Sequence, residues 1–274
     1  MIIWIASYPK SGNTWLRLFL SCYSKTDDKE FNLQTLSQND VYPNLKVLNA
    51  LNVNHKKLLD IIKNWIPTQE YINLKKKVVF LKTHNSMCTI NNYQFTNNKN
   101  TLGGVYLVRD PRDVALSYAD HLQIDINQVV DNMLASDYVE VDEDENGDQY
   151  NKTLLGSWAE NYNSWKTYNG RKILIIKYED MILDPFKVFL KVIKYLNEIN
   201  GTIIDENKIK NSIKKTSFQN LRMLEEKSGF PEKAKGKFFF RKGKIGDWKD
   251  NLEKNLVFKI EEKFKNEMKE LEYL

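Results

Sequence analysis

The chain has 274 residues, 42% of them hydrophobic, and a formal net charge of +5. A chain of this length can bury a substantial core, and because it shows no internal repeat or domain boundary, we expect a single domain over residues 1–274. The mild positive charge is compatible with an anionic small molecule and does not by itself indicate nucleic acid.

Composition also bears on metals and membranes. Cys22 and Cys88 lie in apolar surroundings without zinc-ligand spacing, so they indicate neither a metal site nor a disulfide framework. The apolar run at the N-terminus stops at Pro9 and Lys10, and no later run approaches the length of a membrane span. We therefore expect a soluble, cytoplasmic protein that binds no metal, membrane or nucleic acid.

The first two dozen residues predict a strand, a tight loop and a helix. Met1–Ala6 is apolar and β-branched, Pro9 and Gly12 punctuate the loop, and from Thr14 apolar residues recur at helical spacing. Such a loop directs free N–H groups and the positive end of the helix dipole at one point, to which Lys10 adds a charge. We predict that this point binds an anion such as phosphate, although the lysine precedes the glycine and the loop is not a Walker A sequence.

A second strand is predicted at Val78–Leu81, after a polar stretch with helical patterns at Phe31–Leu36 and Lys57–Trp65. Lys82 and His84 follow this strand. Ligands of an open parallel sheet collect at the carboxyl ends of its strands, and histidine is the side chain best suited to proton transfer near neutral pH. His84 is therefore either a catalytic base or a histidine that is only hydrogen-bonded at a strand end.

The third predicted strand, Val105–Val108, ends in Arg109, and a helix that contains Ser117 starts just after it. Guanidinium and hydroxyl groups together form a phosphate-binding pair. Without further context, Arg112 and Asp113 are predicted to be surface charges.

An acidic segment, Asp137–Asp148, holds seven carboxylates and no cation. One interpretation is a solvated, mobile loop. The other is an acidic lip that attracts a cationic substrate, helped by Asp120, Asp125 and Asp131 upstream.

The following region completes the pattern of strands and helices. Asn151–Asn169 has large apolar residues at helical spacing, Ile173–Ile176 is a fourth apolar strand, and a helix is predicted from Asp184 to Leu196. Four apolar strands separated by helical stretches are typical of a parallel sheet covered on both faces. The predicted class is α/β, a P-loop-like three-layer fold with a central parallel sheet flanked by helices.

The last part of the chain contains a second candidate anion loop. A helix is predicted to begin at Thr216–Phe218, where hydroxyl side chains can cap it. Arg241–Lys249 then holds two glycines and four cations, which can surround an anion with backbone and side-chain donors. Asp250–Leu274 is predicted to be one amphipathic helix.

Several separated motifs occur along the chain in this order: YPKSGNTW from Tyr8, LKTH from Leu81, VRDPRDVALSY from Val108, GSW from Gly156, KYEDM from Lys177, KTSF from Lys215 and FFFRKGKIGDWK from Phe238. Together they resemble the cytosolic sulfotransferases, which transfer a sulfuryl group from 3'-phosphoadenosine 5'-phosphosulfate (PAPS) and release 3'-phosphoadenosine 5'-phosphate (PAP). The motifs run from the first strand almost to the last helix, so the resemblance covers nearly the whole chain.

The resemblance implies a role for each matching residue. The 5'-phosphosulfate would be held by Lys10, Ser11, Gly12, Asn13 and Thr14. The 3'-phosphate would be held by Arg109, Ser117, Arg241, Lys242 and Gly243. Trp15 would stack on adenine opposite Phe218, and the adenosine site would be lined by Tyr178, Thr216, Ser217 and Leu221. His84 would be the base, Lys82 and Lys10 would stabilise the group in transfer, and no metal is required.

The resemblance leaves the acceptor open. Asn13 stands where the family more often has threonine, and the family's short dimer motif is not recognisable after Trp248, so the oligomeric state is not predicted. We expect a small acceptor with a hydroxyl or amine, and the acidic residues after Tyr118 give the further hypothesis of a cationic natural product, an amine or a guanidinium compound. Two alternatives remain: a P-loop kinase or ATPase, and a non-catalytic nucleotide- or RNA-binding module.

Overall fold

The computed structural model describes residues 1–24, 31–36, 40–143, 149–232 and 238–274. The chain divides into two compact units, each made from three separate segments. The first unit comprises Met1–Tyr8, Gln38–Val108 and Asn132–Ile175, and the second comprises Pro9–Ser37, Arg109–Asp131 and Ile176–Leu274. The single domain expected from the sequence stays a prediction.

The described residues contain eight strands: β1 (Ile2–Ser7), β2 (Val79–Thr83), β3 (Thr89–Ile90), β4 (Tyr93–Gln94), β5 (Thr101–Val108), β6 (Val139–Glu143), β7 (Gln149–Leu154) and β8 (Ile173–Lys177). Four of them form one parallel sheet in the order β2-β1-β5-β8. β3 pairs with β4, and β6 pairs with β7, as antiparallel strands. The strands of the parallel sheet match the four predicted apolar runs, so the α/β class with a central parallel sheet is confirmed.

Helices fill most of the remaining described chain: α1 (Asn13–Ser24), α2 (Leu45–Ala50), α3 (Leu58–Lys63), α4 (Trp65–Asn73), α5 (Pro111–Leu122), α6 (Ile126–Leu134), α7 (Trp158–Lys166), α8 (Tyr178–Leu183), α9 (Pro185–Asn200), α10 (Glu206–Lys215), α11 (Phe218–Ser228), α12 (Trp248–Asn251), α13 (Lys254–Lys263) and α14 (Lys265–Glu270), with a 3-10 turn at Leu33–Thr35. Within the described ranges, none of the helices has the length and apolar character needed to cross a membrane.

The register of the sheet aligns the carboxyl ends of its strands. Ala6 of β1 lies opposite Thr83 of β2, and Ser7 lies opposite Leu107 of β5. His84 follows Thr83 directly in the sequence, so it leaves the sheet beside the end of β1.

An aromatic core holds β1 in the first unit. Trp4 is fully buried and packs edge-on against Tyr42 and Trp165, at ring-centroid distances of 5.2 and 6.4 Å. Its indole N–H donates a 2.8 Å hydrogen bond to the hydroxyl of Thr101. Large aromatic side chains dominate the energetics of a core, so this packing stabilises the strand that leads to the first candidate anion loop.

Aromatic and aliphatic contacts hold α1 in the second unit. Phe19 stacks on Phe189 of α9 with 3.9 Å between ring centroids. A separate apolar cluster consists of Leu18, Phe31, Leu33, Leu36, Leu221, Phe230 and Phe240. This cluster, called the α1 cluster below, links α1 to α11 and to the segment that precedes the second candidate anion loop.

The predicted helix Asn151–Asn169 is wrong in its first part. Its first residues belong to β7, which pairs with β6, and α7 begins only at Trp158. Gly156 adopts a φ of +64°, and Ser157 and Glu160 form a capping box that starts the helix. Apolar residues happen to continue the helical spacing through a strand and a turn, so periodicity alone misplaces the boundary.

The predicted C-terminal helix Asp250–Leu274 is broken into shorter helices. Leu252 is extended, with φ −109° and ψ 130°, and Phe264 interrupts the helix again, with φ −109° and ψ 19°. Both side chains are buried, which indicates that packing, and not helix propensity, sets the breaks.

The acidic segment Asp137–Asp148 lies partly in a strand. Val139–Glu143 forms β6, so the loop interpretation is wrong for these residues. Residues 144–148 lie outside the described residues.

Candidate functional site

The first candidate anion loop, Pro9–Gly12, connects β1 to α1. Lys10 and Gly12 have positive φ angles of 64° and 98°, and α1 begins at Asn13. A lysine in the left-handed region is uncommon, which indicates that surrounding contacts fix its backbone. The Lys10 ammonium lies 4.1 Å from the centroid of the Phe239 ring, a cation–π contact. The loop therefore joins a residue with a positioned cation to the N-terminus of a helix, a combination that suits an anion site.

The polar side chains of this loop and of the first turn of α1 are buried. Ser11, Asn13 and Thr14 are at most 7% exposed. The Thr14 hydroxyl donates a 2.8 Å hydrogen bond to the carboxylate of Glu232. Sequence reasoning did not consider Glu232, because nothing in the local pattern connects it to a residue so far along the chain.

Arg109 connects three parts of the second unit. Its Nη1 donates to the backbone oxygen of Lys10 at 3.1 Å, and its Nη2 donates to that of Lys244 at 3.2 Å. Its guanidinium carbon lies 4.4 Å from the centroid of the Tyr178 ring. The Nε atom of Arg109 is buried and has no hydrogen-bond partner in the described part of the chain. Because an unsatisfied buried donor is costly, this atom is suited to a bound acceptor.

Asp113 anchors the second candidate anion loop. Its carboxylate accepts from the N–H of Gly246 at 2.7 Å and from the N–H of Trp248 at 3.0 Å. Burial raises the pKa of Asp113, and the Arg109 cation and the two N–H donors oppose that rise. The predicted surface position is wrong, since only 1% of Asp113 is exposed.

Arg112 is also buried, contrary to the predicted surface charge. It pairs with Asp110 at 2.7 Å and with Glu261, and its guanidinium carbon lies 3.7 Å from the centroid of a Trp248 ring. Its Nη2 also donates to the backbone oxygen of Tyr273 at 2.7 Å. Through this hydrogen bond, Arg112 connects the first turn of α5 to the backbone of Tyr273 near the C-terminus.

Arg241 and Lys242 are held by acidic side chains of the second unit. Arg241 lies 3.7 Å from Asp120 and 3.3 Å from Asp247, and Lys242 lies 2.7 Å from Asp247. Burial alone would raise the pKa of Asp247, but Lys242 and Arg241 outweigh it and hold the pKa below its ordinary value. Asp120 is one helical turn after Ser117, so Arg241 lies along the face of α5 that carries the predicted hydroxyl.

The residues predicted to hold adenine share one apolar surface. Phe218 and Trp15 both pack against the α1 cluster, of which Leu221 is a member. Gly243 has a φ of 60°, and a Cβ there would lie 2.4 Å from Cδ2 of Phe218. Only glycine allows this close approach in this conformation.

Two hydroxyls predicted for the adenosine site serve helix ends. Thr216 donates to the backbone oxygen of Ser212 at 2.8 Å, at the C-terminus of α10. Ser217 is the N-cap of α11, and its hydroxyl accepts from the N–H of Asn220 at 3.4 Å. The predicted capping is confirmed, and a role of either residue in adenosine binding stays a prediction.

The predicted residues are divided between the two units. All those assigned to the donor lie in the second unit, whereas Lys82 and His84 lie in the first. Among the residues whose positions are described, no group of three or more His, Cys, Asp or Glu side chains could hold a metal ion.

His84 is oriented by the end of β1. Its Nδ1 lies 2.7 Å from the backbone oxygen of Ser7. Because a carbonyl oxygen only accepts, Nδ1 carries the proton, and the neutral imidazole has its basic lone pair on Nε2. The backbone oxygen of His84 accepts from the side-chain amide of Asn161 at 2.9 Å.

Sequence reasoning missed Asn161 as a residue that positions this histidine. It is fully buried, donates to the backbone oxygen of Leu155 at 2.9 Å and accepts from the Tyr106 hydroxyl at 2.8 Å. Its helical spacing does not distinguish it from a surface asparagine, so no sequence signal identifies it.

Lys82 faces an acidic neighbour in the first unit. Burial raises the pKa of Asp142 on β6, while a 3.2 Å hydrogen bond from Asn151 and the charge of Lys82 oppose that rise. A carboxylate of the acidic segment therefore lies within electrostatic reach of a predicted catalytic lysine.

Known proteins are similar to this chain in sequence and in fold. The sulfotransferase domain family matches residues 2–272. Flavonol 3-sulfotransferase of Flaveria bidentis is 30% identical, over 94% of this chain and 79% of its own length. Sulfotransferase 1E1 of Mus musculus is 27% identical, over 97% of this chain and 83% of its own length.

Two solved structures show the same fold at lower identity. Mouse sulfotransferase SULT7A1 complexed with PAP has a TM-score of 0.57 at 20% identity and covers 97% of this chain and 84% of its own. Retinol dehydratase in a complex with retinol and PAP has a TM-score of 0.62 at 19% identity and covers 98% of this chain and 81% of its own. The fold, the family match over nearly the whole length and the 30% identity agree, and this chain belongs to the sulfotransferase family.

Proposed function

We propose that this sulfotransferase takes its sulfuryl group from PAPS and transfers it to a hydroxyl or amine of a small molecule. The observation that carries the proposal is Arg109, which bonds to the backbone of both candidate anion loops and keeps a buried Nε donor without a protein acceptor among the described residues. A nucleotide with anionic groups on two sides of its ribose suits two such loops. Two solved neighbours hold PAP, and one relative is named for a flavonol.

The second unit offers a group for each part of this donor. The Pro9–Gly12 loop with Lys10 suits the 5'-phosphosulfate, and Arg109 with Arg241, beside Ser117, suits the 3'-phosphate. PAPS supplies a sulfuryl group on a phosphate that can leave. By analogy with phosphoryl transfer, negative charge grows on that phosphate in a loose, in-line transition state. Lys10 and the loop N–H groups would stabilise this charge, and losing one such contact typically costs about 2.7–4 kcal/mol.

His84 is proposed as the base that takes the proton of the acceptor. Its Nδ1 donates a hydrogen bond to the carbonyl oxygen of Ser7, so the neutral ring would accept the proton at Nε2. The amide of Asn161 fixes the His84 backbone, which limits the reorientation of the ring during turnover. Lys82 would help to stabilise the group in transfer.

Replacing His84 separates donor binding from chemistry. In His84→Gln, we expect the dissociation constant of PAP, measured by calorimetry, to stay unchanged, while kcat with labelled PAPS falls by about 10²-fold or more. His55→Gln, outside both anion loops, is the matched control and should leave both values unchanged. Absence of PAP binding by the wild type, or full turnover by His84→Gln, would contradict the proposal.

The alternatives raised by the sequence are not supported. A P-loop kinase or ATPase and a non-catalytic nucleotide- or RNA-binding module both conflict with membership of the sulfotransferase family. The cytoplasmic location stays a prediction, which agrees with the name of one relative, cytosolic sulfotransferase 16 of Arabidopsis thaliana.

We also propose that the acceptor is cationic and that a carboxylate on β6 attracts it. Asp120 and Asp131 are paired with Arg241 and Lys259, respectively, so they are poor candidates. Asp142 is half-buried on β6, and although the charge of Lys82 acts on it, no described cation forms a direct ion pair with it. A carboxylate in a partly desolvated position attracts a cation more strongly than one in water.

The test compares two acceptors that differ in charge. Asp142→Asn should raise the KM of an amine acceptor by about tenfold or more and leave that of a neutral phenol unchanged, because a charge-assisted contact contributes about 1.5–3 kcal/mol. Asp137→Asn, at an exposed position just before β6, is the control. Equal effects on both acceptors would refute a cationic acceptor without affecting the assignment of PAPS.

A further inference from the structure

The carboxylate of Glu232 bridges two side chains at the start of α1. One oxygen accepts from the Thr14 hydroxyl at 2.8 Å, and the other pairs with Nη1 of Arg17 at 2.5 Å. Thr14 and Arg17 are three positions apart, so they lie on the same face of the helix. An acidic side chain therefore engages two donors at the positive end of α1, where the proposed function places an anion.

Arg17 has more donor capacity than this carboxylate uses. Its side chain is only 6% exposed, and its buried Nη2 has no hydrogen-bond acceptor within the described ranges. Buried guanidinium nitrogens are normally satisfied, so an unsatisfied one indicates that a further acceptor binds here. Guanidinium binds phosphate and carboxylate with the same fork geometry, and a phosphosulfate has oxygens for both nitrogens.

We propose that Arg17 is an additional residue of the donor site, and that Glu232 competes with the 5'-phosphosulfate for Arg17 and Thr14. The inference rests on the proposed function, because it assumes that the donor is PAPS. Donor binding then requires Glu232 to release both side chains, and the free energy of that release reduces the observed affinity. Glu232 is thus an internal competitor that sets how tightly the donor and its product bind.

The competition makes a prediction that a structural ion pair does not. Removing the charge of Glu232 leaves the buried Arg17 guanidinium without its counter-ion, so the protein without nucleotide should become less stable. The same change frees Arg17 and Thr14 for the nucleotide, so the affinity should rise. A purely structural pair predicts that stability and affinity fall together.

Calorimetric titration of Glu232→Gln with PAP tests the proposal. We expect the dissociation constant to fall about tenfold relative to wild type, the change that corresponds to about 1.4 kcal/mol. We expect no gain for adenosine 3'-phosphate, which lacks the 5' group, and a lower melting temperature without nucleotide. Arg17→Met should weaken PAP binding and leave adenosine 3'-phosphate unaffected.

Two further variants complete the design. Glu226→Gln removes a carboxylate paired with Arg222 on α11 and is the matched control, which should bind PAP like wild type. If Glu232→Gln does not fold, Glu232→Asp, whose shorter side chain cannot reach both donors, should also bind PAP more tightly.

The outcomes separate this inference from the proposed function. Unchanged or weaker PAP binding by the Glu232 variants, or an equal gain for adenosine 3'-phosphate, would overturn the competition while leaving PAPS as the donor. A wild-type protein that does not bind PAP would instead overturn the proposed function.

Discussion

Gly243→Ala tests whether the second anion loop and Phe218 together form the adenine site. At Gly243, φ is 60° and a Cβ would lie 2.4 Å from Cδ2 and 2.8 Å from Cε2 of Phe218. Gly246, three residues later, has a φ of 76°. A Cβ at this position would have only side-chain atoms of Lys249 nearby, the nearest at 3.8 Å. Both alanines therefore adopt a left-handed backbone, and only one of them collides with the aromatic ring.

The two variants separate backbone strain from displacement of the ring. A non-glycine residue in the left-handed region costs about 1–2 kcal/mol, and this cost applies to Gly243→Ala and Gly246→Ala alike. The collision adds a cost only at Gly243, because the Phe218 ring has to move away from the loop. We expect Gly243→Ala to bind PAP at least about tenfold more weakly than Gly246→Ala does, a difference of about 1.4 kcal/mol.

The assay combines calorimetric titration with PAP and urea unfolding of both variants. Unfolding shows whether the shared backbone cost is similar, and calorimetry then isolates the effect on the nucleotide. Equal PAP affinities of the two variants would refute the reasoning, because the position of Phe218 would then not matter for binding.

Three further predictions follow from contacts of the second unit. In calorimetry, Arg241→Gln should bind PAP about tenfold more weakly and adenosine 5'-phosphate as tightly as wild type, because it removes a charged donor assigned to the 3'-phosphate. An equal loss of affinity for both ligands would contradict that role. Arg109→Lys keeps the charge but loses the forked guanidinium that donates to two carbonyl oxygens. Urea unfolding should show that the free energy of unfolding falls by about 1.5–3 kcal/mol, and an unchanged value would contradict this account. Burial raises the pKa of Glu179, against the opposing hydrogen bonds from the Asp110 N–H and the Tyr273 hydroxyl, so the folded protein binds this proton more tightly than the unfolded chain. The resulting stabilisation is complete below the ordinary carboxyl pKa of about 4.3 and is lost as the pH rises through the raised pKa. The unfolding free energy of wild type minus that of Glu179→Gln should therefore decrease with pH over this window, and a constant difference would exclude the effect.

Local sequence predicted the parts of the site whose geometry depends on neighbouring residues. The apolar run of β1, the punctuation by Pro9 and Gly12 and the spacing of α1 all act over a few positions, so they predicted the strand, the loop and the helix correctly. The same holds for Arg109, since the end of a buried strand and the start of a helix are both marked in the sequence. Motif resemblance extended these local predictions to a family, which the comparisons confirm.

Tertiary structure decided which charged side chains are buried and which partners they have. Asp113 and Arg112 carry no local sign of burial, yet the first holds the backbone of Gly246 and the second holds that of Tyr273. Periodicity likewise failed at Asn151–Asn169, where pairing with β6 overrides an apolar spacing typical of a helix.

Residue patterns along the chain were enough to predict the four strands of the central sheet, the two candidate anion loops and the family, because these depend on local conformational preferences and on motif residues. The Nδ1 contact of His84 with the Ser7 carbonyl oxygen, which sets the ring tautomer, and the contacts of Glu232 with Thr14 and Arg17 become visible in the folded chain alone. These contacts join residues far apart in the chain, so no local residue pattern reveals them. Their free energy depends on burial and on exact hydrogen-bond geometry, which exist only once the backbone has brought both partners together.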